Sequence, residues 1–229
     1  MRRHAAPFLL LSLGVLFATT GRSGPRYQPK IDPANFQAKV DHRYFPLVPG
    51  TRFHYLNSVL GQNFEREVTV TPETKTILGV RCLAVHEVIS AKGAVKEDNY
   101  TWYAQDRQGN VWFFAEATTE MRPLGPSTAG SWEAGVKGAQ PGIVMPAGAK
   151  PGPAYRQNYY ANWSEDMGQI IYVGETVTVP FGTFRNCLCT REWSLLESGS
   201  EKRWYAPGVG FIRSEAIGET VTLVSITQR

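Results

Sequence analysis

The sequence predicts an all-β protein whose strands form one antiparallel meander, curled strongly into an open half-barrel. Short runs rich in β-branched and aromatic residues alternate with turn residues, helix signals are weak, and two stretches carry similar motifs in the same order. Roughly ten strands in about 180 residues cannot lie flat, because accumulated twist makes so wide a sheet curl or split. Two small stacked sheets are the alternative architecture.

The N-terminus is typical of a secretory signal. Arg2 and Arg3 precede an apolar run over residues 5–18, and small residues follow up to Gly24. We predict a signal peptide at residues 1–24, and therefore a periplasmic or secreted protein without a transmembrane segment after cleavage. The apolar run is shorter than the roughly 20 residues of a spanning helix, and an uncleaved anchor is the alternative.

The basic charge of the chain belongs largely to this leader. Three of the 24 Lys and Arg residues lie in residues 1–24, which contain none of the 20 acidic residues. The mature chain is therefore close to neutral, and we predict no nucleic-acid partner.

An N-terminal extension at residues 25–44 is predicted to precede a single β domain at residues 45–229. Helix signals are confined to Asp32–Asp41, with Asp32 as N-cap and Pro33 at the first helical position. The clearest strands follow in order at residues 65–71, 80–89, 100–105, 111–116, 176–179, 201–205, 211–215 and 220–226. Turn-rich segments at residues 106–110 and 206–210 join neighbouring strands into hairpins.

The β domain divides into two similar halves, residues 45–125 and 149–229. Four motifs recur in the same order, which indicates an internal repeat. They are Pro49-Gly50 with Pro151-Gly152, Glu73–Ile77 with Glu175–Val179, Cys82-Leu83 with Cys187-Leu188, and Trp102-Tyr103-Ala104 with Trp204-Tyr205-Ala206. We therefore predict that the halves superpose, with Cys82 over Cys187 and Trp102 over Trp204.

The connection between the halves, Gly130–Gly152, is rich in Gly and Pro and yet carries large apolar residues. Its six Gly and three Pro exclude a regular helix or a central strand. Trp132, Ile143 and Met145 are large apolar residues, which are not typical of a solvated linker. We predict an ordered connection that packs across the concave side of the sheet.

Three motifs of the chain are distinctive. They are Trp102-Tyr103-Ala104-Gln105-Asp106 with Gly109-Asn110-Val111-Trp112, Ser131-Trp132-Glu133-Ala134-Gly135 with residues 138–146, and Trp204-Tyr205-Ala206-Pro207-Gly208-Val209-Gly210. These motifs resemble a family of secreted bacterial proteins of unknown function. Together with residues 179–184, the last motif is loosely similar to periplasmic curled-sheet proteins of the lipoprotein-carrier kind. The resemblance implies a fold and not an activity.

A ligand site is predicted along the connection, where aromatic and polar side chains cluster beside irregular chain. Its candidate residues are Trp132, Glu133, Gln140, Met145, Arg156, Tyr159, Tyr160 and Trp163. The favoured function is a non-enzymatic binding or carrier module for an apolar or amphipathic small molecule or an envelope component. Aromatic anchors that only pin the connection are the alternative.

Two other functions stay open. One is a carbohydrate-active hydrolase that uses Glu133, Glu165 or Asp166 as paired carboxylates, and the other is an assembly partner in the cell envelope. The sequence contains no serine-hydrolase elbow, metalloprotease helix, phosphate loop or dinucleotide fingerprint, and we expect neither a cofactor nor a metal.

The three cysteines are too few for a disulfide framework. A bridge between Cys82 and either Cys187 or Cys189 stays open, since the protein is predicted to work outside the cytoplasm.

Overall fold

The structure is a computed structural model that describes residues 27–37 and 39–228, so the predicted signal peptide lies outside the described residues. Within these ranges are one short 3-10 helix, η1 (Pro33–Asn35), and eighteen strands. The strands are β1 (Phe36–Gln37), β2 (Val40–His42), β3 (Phe45–Leu47), β4 (Thr51–Val59), β5 (Gln62–Ile77), β6 (Val80–Ala91), β7 (Ala94–Asp106), β8 (Val111–Arg122), β9 (Gly125–Ser127), β10 (Trp132–Glu133), β11 (Gln140–Met145), β12 (Tyr155–Arg156), β13 (Asn158–Tyr159), β14 (Asp166–Val179), β15 (Gly182–Ser194), β16 (Glu201–Ala206), β17 (Gly210–Ala216) and β18 (Glu219–Gln228).

Every described strand except β2 and β3 belongs to one antiparallel sheet, which is nearly closed as a barrel with one unsealed seam. The sheet runs in the order β12-β14-β15-β16-β17-β18-β4-β5-β6-β7-β8-β11-β13, and β1, β9 and β10 pair beside this path. The last strand, β18, pairs with β4 along its length and so joins the two ends of the domain. The predicted all-β class and the strongly curled antiparallel sheet are confirmed.

The connection is ordered, as predicted, but it extends the sheet instead of crossing its concave side. β11 pairs with β8, and β13 pairs with β11, while β12 pairs with β14 from the other edge. Unpaired backbone groups at the edge of β8 explain this placement, because β11 satisfies them. Gly142 is needed at the seam, since a Cβ there would lie 2.4 Å from the backbone oxygen of Arg156.

The antiparallel pairing gives the barrel two ends, which we call upper and lower. The upper end carries the turns at residues 60–61, 92–93, 123–124, 195–200 and 217–218, and the lower end those at residues 78–79, 107–110, 180–181 and 207–209. Each long strand of the wall runs between an upper turn and a lower turn. The height of a residue in the wall is therefore given by its distance along the strand from the upper turn.

A plug hairpin, formed by β2 and β3 over Val40–Leu47, closes the lower end of the barrel. The side-chain oxygen of Gln105 accepts hydrogen bonds from the backbone N–H groups of Asp41 and His42 at 2.9 and 3.0 Å. On the opposite side the backbone N–H of Gly208 donates to the carbonyl of Arg43 at 2.7 Å. Part of the predicted N-terminal extension is therefore held against the strands of the domain.

The helix signal at residues 32–41 predicts the start of a helix correctly and its length incorrectly. Asp32 caps η1 by accepting a hydrogen bond from the backbone N–H of Ala34 at 3.0 Å. The helix ends at Asn35 because Phe36 is extended and pairs with Asp106 of β7. Edge pairing, which is invisible to local propensity, decided the outcome.

The cysteines are buried in separate surroundings and are free thiols. Cys82 packs with Phe114 and Trp132, whereas Cys187 packs with Ile212 and Leu223. Burial raises the pKa of the Cys82 thiol to about 12, so this group stays protonated at neutral pH. The bridge that the sequence left open does not form in this structure.

The repeated motifs lie on strands that follow one another in the same way in each half. Cys82 lies on β6, directly after the long strand β5, and Cys187 lies on β15, directly after the long strand β14. Trp102 and Trp204 lie on the next strands, β7 and β16. Superposition of residues 45–125 on residues 149–229 stays a prediction.

Candidate functional site

The barrel encloses a cavity of about 220 Å³, which is lined by the wall and by the plug hairpin. A single buried water needs roughly 10–15 Å³ of such space, so the cavity can hold an organic molecule. Its walls come from both halves of the domain, from the plug hairpin and from the end of the connection. No stretch of the chain forms this site by itself.

The lower part of the cavity is apolar, and we call it the floor. The floor residues that matter below are Phe45, Leu47, Phe53, Val68, Tyr103 and Phe113. Phe45 and Leu47 belong to the plug hairpin, which therefore supplies part of the cavity lining as well as closing the barrel end. The ring of Tyr103 contacts Phe45 edge-on and stacks with Phe113, each at a centroid distance of 5.3 Å.

The upper part of the cavity is polar, and we call it the belt. The belt comprises Arg66, Glu87, Glu97, Asn99, Glu116, Asp166, Glu192 and Arg203. On β5, β7, β8 and β16 the charged residue that lines the cavity lies nearer the upper turns than the apolar or aromatic lining residue of the same strand. Ile89, which lines the cavity above Glu87 on β6, is an exception.

Two arginines of the belt are committed to carboxylates of the wall. Arg66 donates to Glu87 through Nε at 2.8 Å and through Nη2 at 2.6 Å. Arg203 lies 3.0 Å from Glu201 through Nη2 and 3.4 Å from Glu192 through Nε. These buried guanidinium groups neutralise their partners, and their own pKa values are raised by those carboxylates.

Three belt carboxylates have no ion-pair partner among the described residues: Glu97, Glu116 and Asp166. Asp166 accepts hydrogen bonds from Asn158 at 2.6 Å and from Ser164 at 3.2 Å, which hold the start of β14 against β13. Burial raises the pKa of the Glu116 carboxyl well above its ordinary value, and the charges of Asp166 and Glu97 add to this rise. Burial also raises the pKa of Asp166.

None of the eight residues that the sequence proposed as a ligand site borders the cavity. Trp132 is buried behind Phe113, with the two rings edge to face at 4.9 Å, and it lies opposite Glu116 in the β10–β8 register. Met145 is fully buried beside the plug hairpin. Gln140 starts β11 and pairs with Tyr159.

The remaining members of that set lie at the seam and on the outer side of the wall. Glu133 forms an ion pair with Lys75 at 2.5 Å. The guanidinium of Arg156 lies 5.0 Å from the ring centre of Tyr159 and 3.5 Å from Glu165. Tyr160 packs against Trp163 at 5.9 Å. The eight residues therefore hold the connection in the wall, and their role in binding stays a prediction.

The proposed trio of catalytic acids does not meet in one place. Asp166 borders the cavity, whereas Glu133 and Glu165 are paired with Lys75 and Arg156 away from it. Asp166 lies close enough to Glu116 for its charge to add to the rise that burial causes in the pKa of that carboxyl.

The inward direction of the belt residues has one sequence signal, an alternation of side chains along β7, but it can be interpreted only when the structure is known. Glu97, Asn99, Thr101 and Tyr103 alternate along β7 and all line the cavity. Alternation predicts a strand with two faces, but polar residues on one face normally indicate the solvent side. The inward direction of this polar face is set by the closure of the barrel.

Comparison with known proteins adds one distant structure. No protein-family model matches the chain, and no curated protein matches it either. A putative lipoprotein from Parabacteroides distasonis ATCC 8503 is similar in structure, with 13% sequence identity, a TM-score of 0.43, and coverage of 81% of this chain and 99% of that chain. Separately, no helix within residues 27–37 and 39–228 is long and apolar enough to cross a membrane.

Proposed function

We propose that this protein is a non-enzymatic carrier or binding module that holds an amphipathic small molecule inside its barrel, outside the cytoplasm. The observation that carries the proposal is the division of one cavity into an apolar floor and a charged belt. A ligand with an apolar tail and a polar head matches both surfaces at once.

The floor supplies the general affinity. Burial of apolar surface contributes roughly 25 cal/mol per Å², and the floor presents mainly aromatic and aliphatic carbon. The belt supplies orientation, because polar groups in an enclosed site fix the direction in which a ligand enters. Fixed ion pairs such as Arg66–Glu87 keep the belt in place without a ligand.

The first experiment measures binding of a neutral apolar dye, Nile red, by its fluorescence. Val68 lines the cavity, and Val68→Phe fills part of it. We expect at least a tenfold loss of dye affinity, with the fold checked by circular dichroism. Val95→Phe is the matched control, because Val95 is exposed on β7 and should leave dye binding unchanged.

Two results would count against the carrier proposal. One is wild-type protein that does not bind the dye at all. The other is a folded Val68→Phe variant that binds it as tightly as wild type, since the dye would then sit outside the barrel.

The cellular location is tested separately. The leader of residues 1–24 supports export, and we expect the mature protein to start between Ala18 and Tyr27. N-terminal sequencing of protein recovered from the cell envelope or the medium checks this. Recovery of an intact Met1 would contradict cleavage.

An envelope assembly partner is the second candidate, and the upper turns support it. Leu60, Leu124 and Ile217 are exposed large apolar side chains on three different upper turns. Replacement of all three by Ser should abolish co-sedimentation with envelope fractions if these turns dock there, and should leave dye binding intact. Unchanged co-sedimentation would remove this candidate.

A further inference from the structure

The lining of the cavity has more acidic than basic side chains. Five carboxylates border it, those of Glu87, Glu97, Glu116, Asp166 and Glu192, against the two guanidinium groups of Arg66 and Arg203. Since both arginines already pair with wall carboxylates, no described cation faces the remaining acids at ion-pair distance. A buried carboxylate without a cation is costly, so such a group takes up a proton, and a positive group supplied from outside the chain would allow it to ionise.

A buried hydrogen-bond acceptor lies beside these acids. Asn99 is 5% exposed, lines the cavity and lies two residues from Glu97 on β7. Its amide nitrogen donates to Glu97 at 2.5 Å, which leaves its side-chain oxygen without a partner in the described structure. An unmatched buried acceptor is destabilising, and a ligand that donates a hydrogen bond removes that cost.

Two aromatic rings, those of Tyr103 and Phe113, line the cavity on the same side as these acids. The guanidinium groups of Arg66 and Arg203 each lie 5.8 Å from the ring centre of Phe211 on the far wall. No Lys or Arg of the described residues stacks over the ring of Tyr103 or Phe113. Burial raises the pKa of Tyr103, and the nearby carboxyl of Glu116 adds to this rise. Aromatic rings that border a cavity beside carboxyl groups are surroundings that bind organic cations.

We infer that the ligand carries an organic cation, a primary ammonium or a guanidinium, which binds between Glu97, Asn99 and Glu116 with its tail along Tyr103 and Phe113. This inference rests on the proposed carrier function and names the head of its ligand. An anionic head would face the excess carboxylates. A divalent metal ion requires a shell of six to eight oxygens, for which aromatic carbon walls are unsuited.

The experiment compares three ligands with the same eight-carbon tail: octylammonium, octanol and octyl sulfate, each competing with Nile red below its micellar concentration. We expect octylammonium to bind at least tenfold more tightly than octanol, and octyl sulfate to bind more weakly than octanol. Octyltrimethylammonium, which cannot donate to Asn99, should bind more weakly than octylammonium.

The decisive variant is Glu116→Gln, which removes the carboxyl group that can ionise beside a bound cation and keeps the shape. It should reduce the affinity for octylammonium about tenfold and leave that for octanol unchanged. Glu67→Gln is the matched control, because Glu67 is an exposed residue of β5 and its loss should change neither affinity. Thermal unfolding of both variants checks that each is folded.

The other outcomes separate the inference from the carrier proposal. Equal affinity for the three ligands, or preference for octyl sulfate, would overturn the cationic head and leave the carrier standing. A thermal shift with calcium chloride that Glu116→Gln abolishes would show a metal site and overturn the inference as well. If neither Nile red nor any octyl ligand binds, both ideas fail together.

Discussion

The belt and the floor of the cavity are built from the same strands and yet differ in chemistry. On β7, Glu97 and Asn99 lie near the upper turns, and Tyr103 lies near the plug hairpin. On β16, Arg203 lies in the belt and Tyr205 lies below it, with its ring packed against Phe45 of the plug. Moving a few residues down one strand therefore changes the interior from charged to apolar.

The difference reflects how each end of the barrel is closed. The plug hairpin fills the lower end with apolar side chains, among them Val40 and Tyr44, and this region is packed like a core. The upper end is closed only by turns between strands. The acidic residues of the wall near that end are held by hydrogen bonds and ion pairs. If the proposed ligand binds there, the belt gives up some stability for a charged surface that faces it, and the following predictions separate these two roles.

The largest effect is expected from breaking the belt ion pair. Arg66→Met leaves Glu87 in the wall without its cation, and breaking a buried pair typically costs about 3–5 kcal/mol. Urea denaturation at pH 7 measures it. The double variant Arg66→Met/Glu87→Leu should recover most of the loss, because the stranded charge is gone. A double variant as unstable as the single one would show that Arg66 acts through packing alone.

A slightly smaller effect is expected from the packed region around the plug. Leu188 is 0% exposed and packs with Tyr44, Met145 and Tyr205, so Leu188→Ala should cost about 3 kcal/mol. Leu195→Ala is the control, because Leu195 is 53% exposed in an upper loop and should change stability by less than about 0.5 kcal/mol. Similar unfolding midpoints for the two variants would mean that the lower end is not packed as a core.

A buried carboxyl outside the belt, that of Glu219, should make stability fall as pH rises. Burial raises the pKa of Glu219, on the upper part of β18, to about 7 from its usual 4.5. The folded state thus binds this proton more tightly than the unfolded state, so the contribution is full below about pH 4.5 and is lost as pH rises towards 7. The loss should be roughly 2–3 kcal/mol, and Glu219→Gln should flatten that part of the curve. The prediction fails if wild type and variant show the same slope of unfolding free energy between pH 4.5 and 7.

The smallest effect is expected outside the barrel. Lys75 pairs with Glu133 and lies 5.0 Å from the ring centre of Trp102, with both charged side chains partly in solvent. Lys75→Met should therefore cost less than about 1 kcal/mol, and a change from low to high salt should reduce even that. A cost comparable to that of Arg66→Met would erase the distinction between inner and outer charges.

The sequence by itself determined the class of fold and the positions of some strands, turns and caps. The alternating runs of β7 and β8, the turn at residues 106–110 and the N-cap at Asp32 are local features, and each one is present in the structure. The order of the connection was also predictable, because Trp132 and Met145 are too apolar to remain in water.

Only the tertiary structure decided where the candidate site lies. Glu97, Glu116 and Arg203 are polar members of alternating strands, and a strand sequence does not state which of its faces is inside. Closure of the sheet, with β18 on β4 and the connection on β8, turned that polar face inward and brought the acids of both halves together. Long-range pairing fixes such a site because its members lie far apart in the chain, and no local propensity couples them.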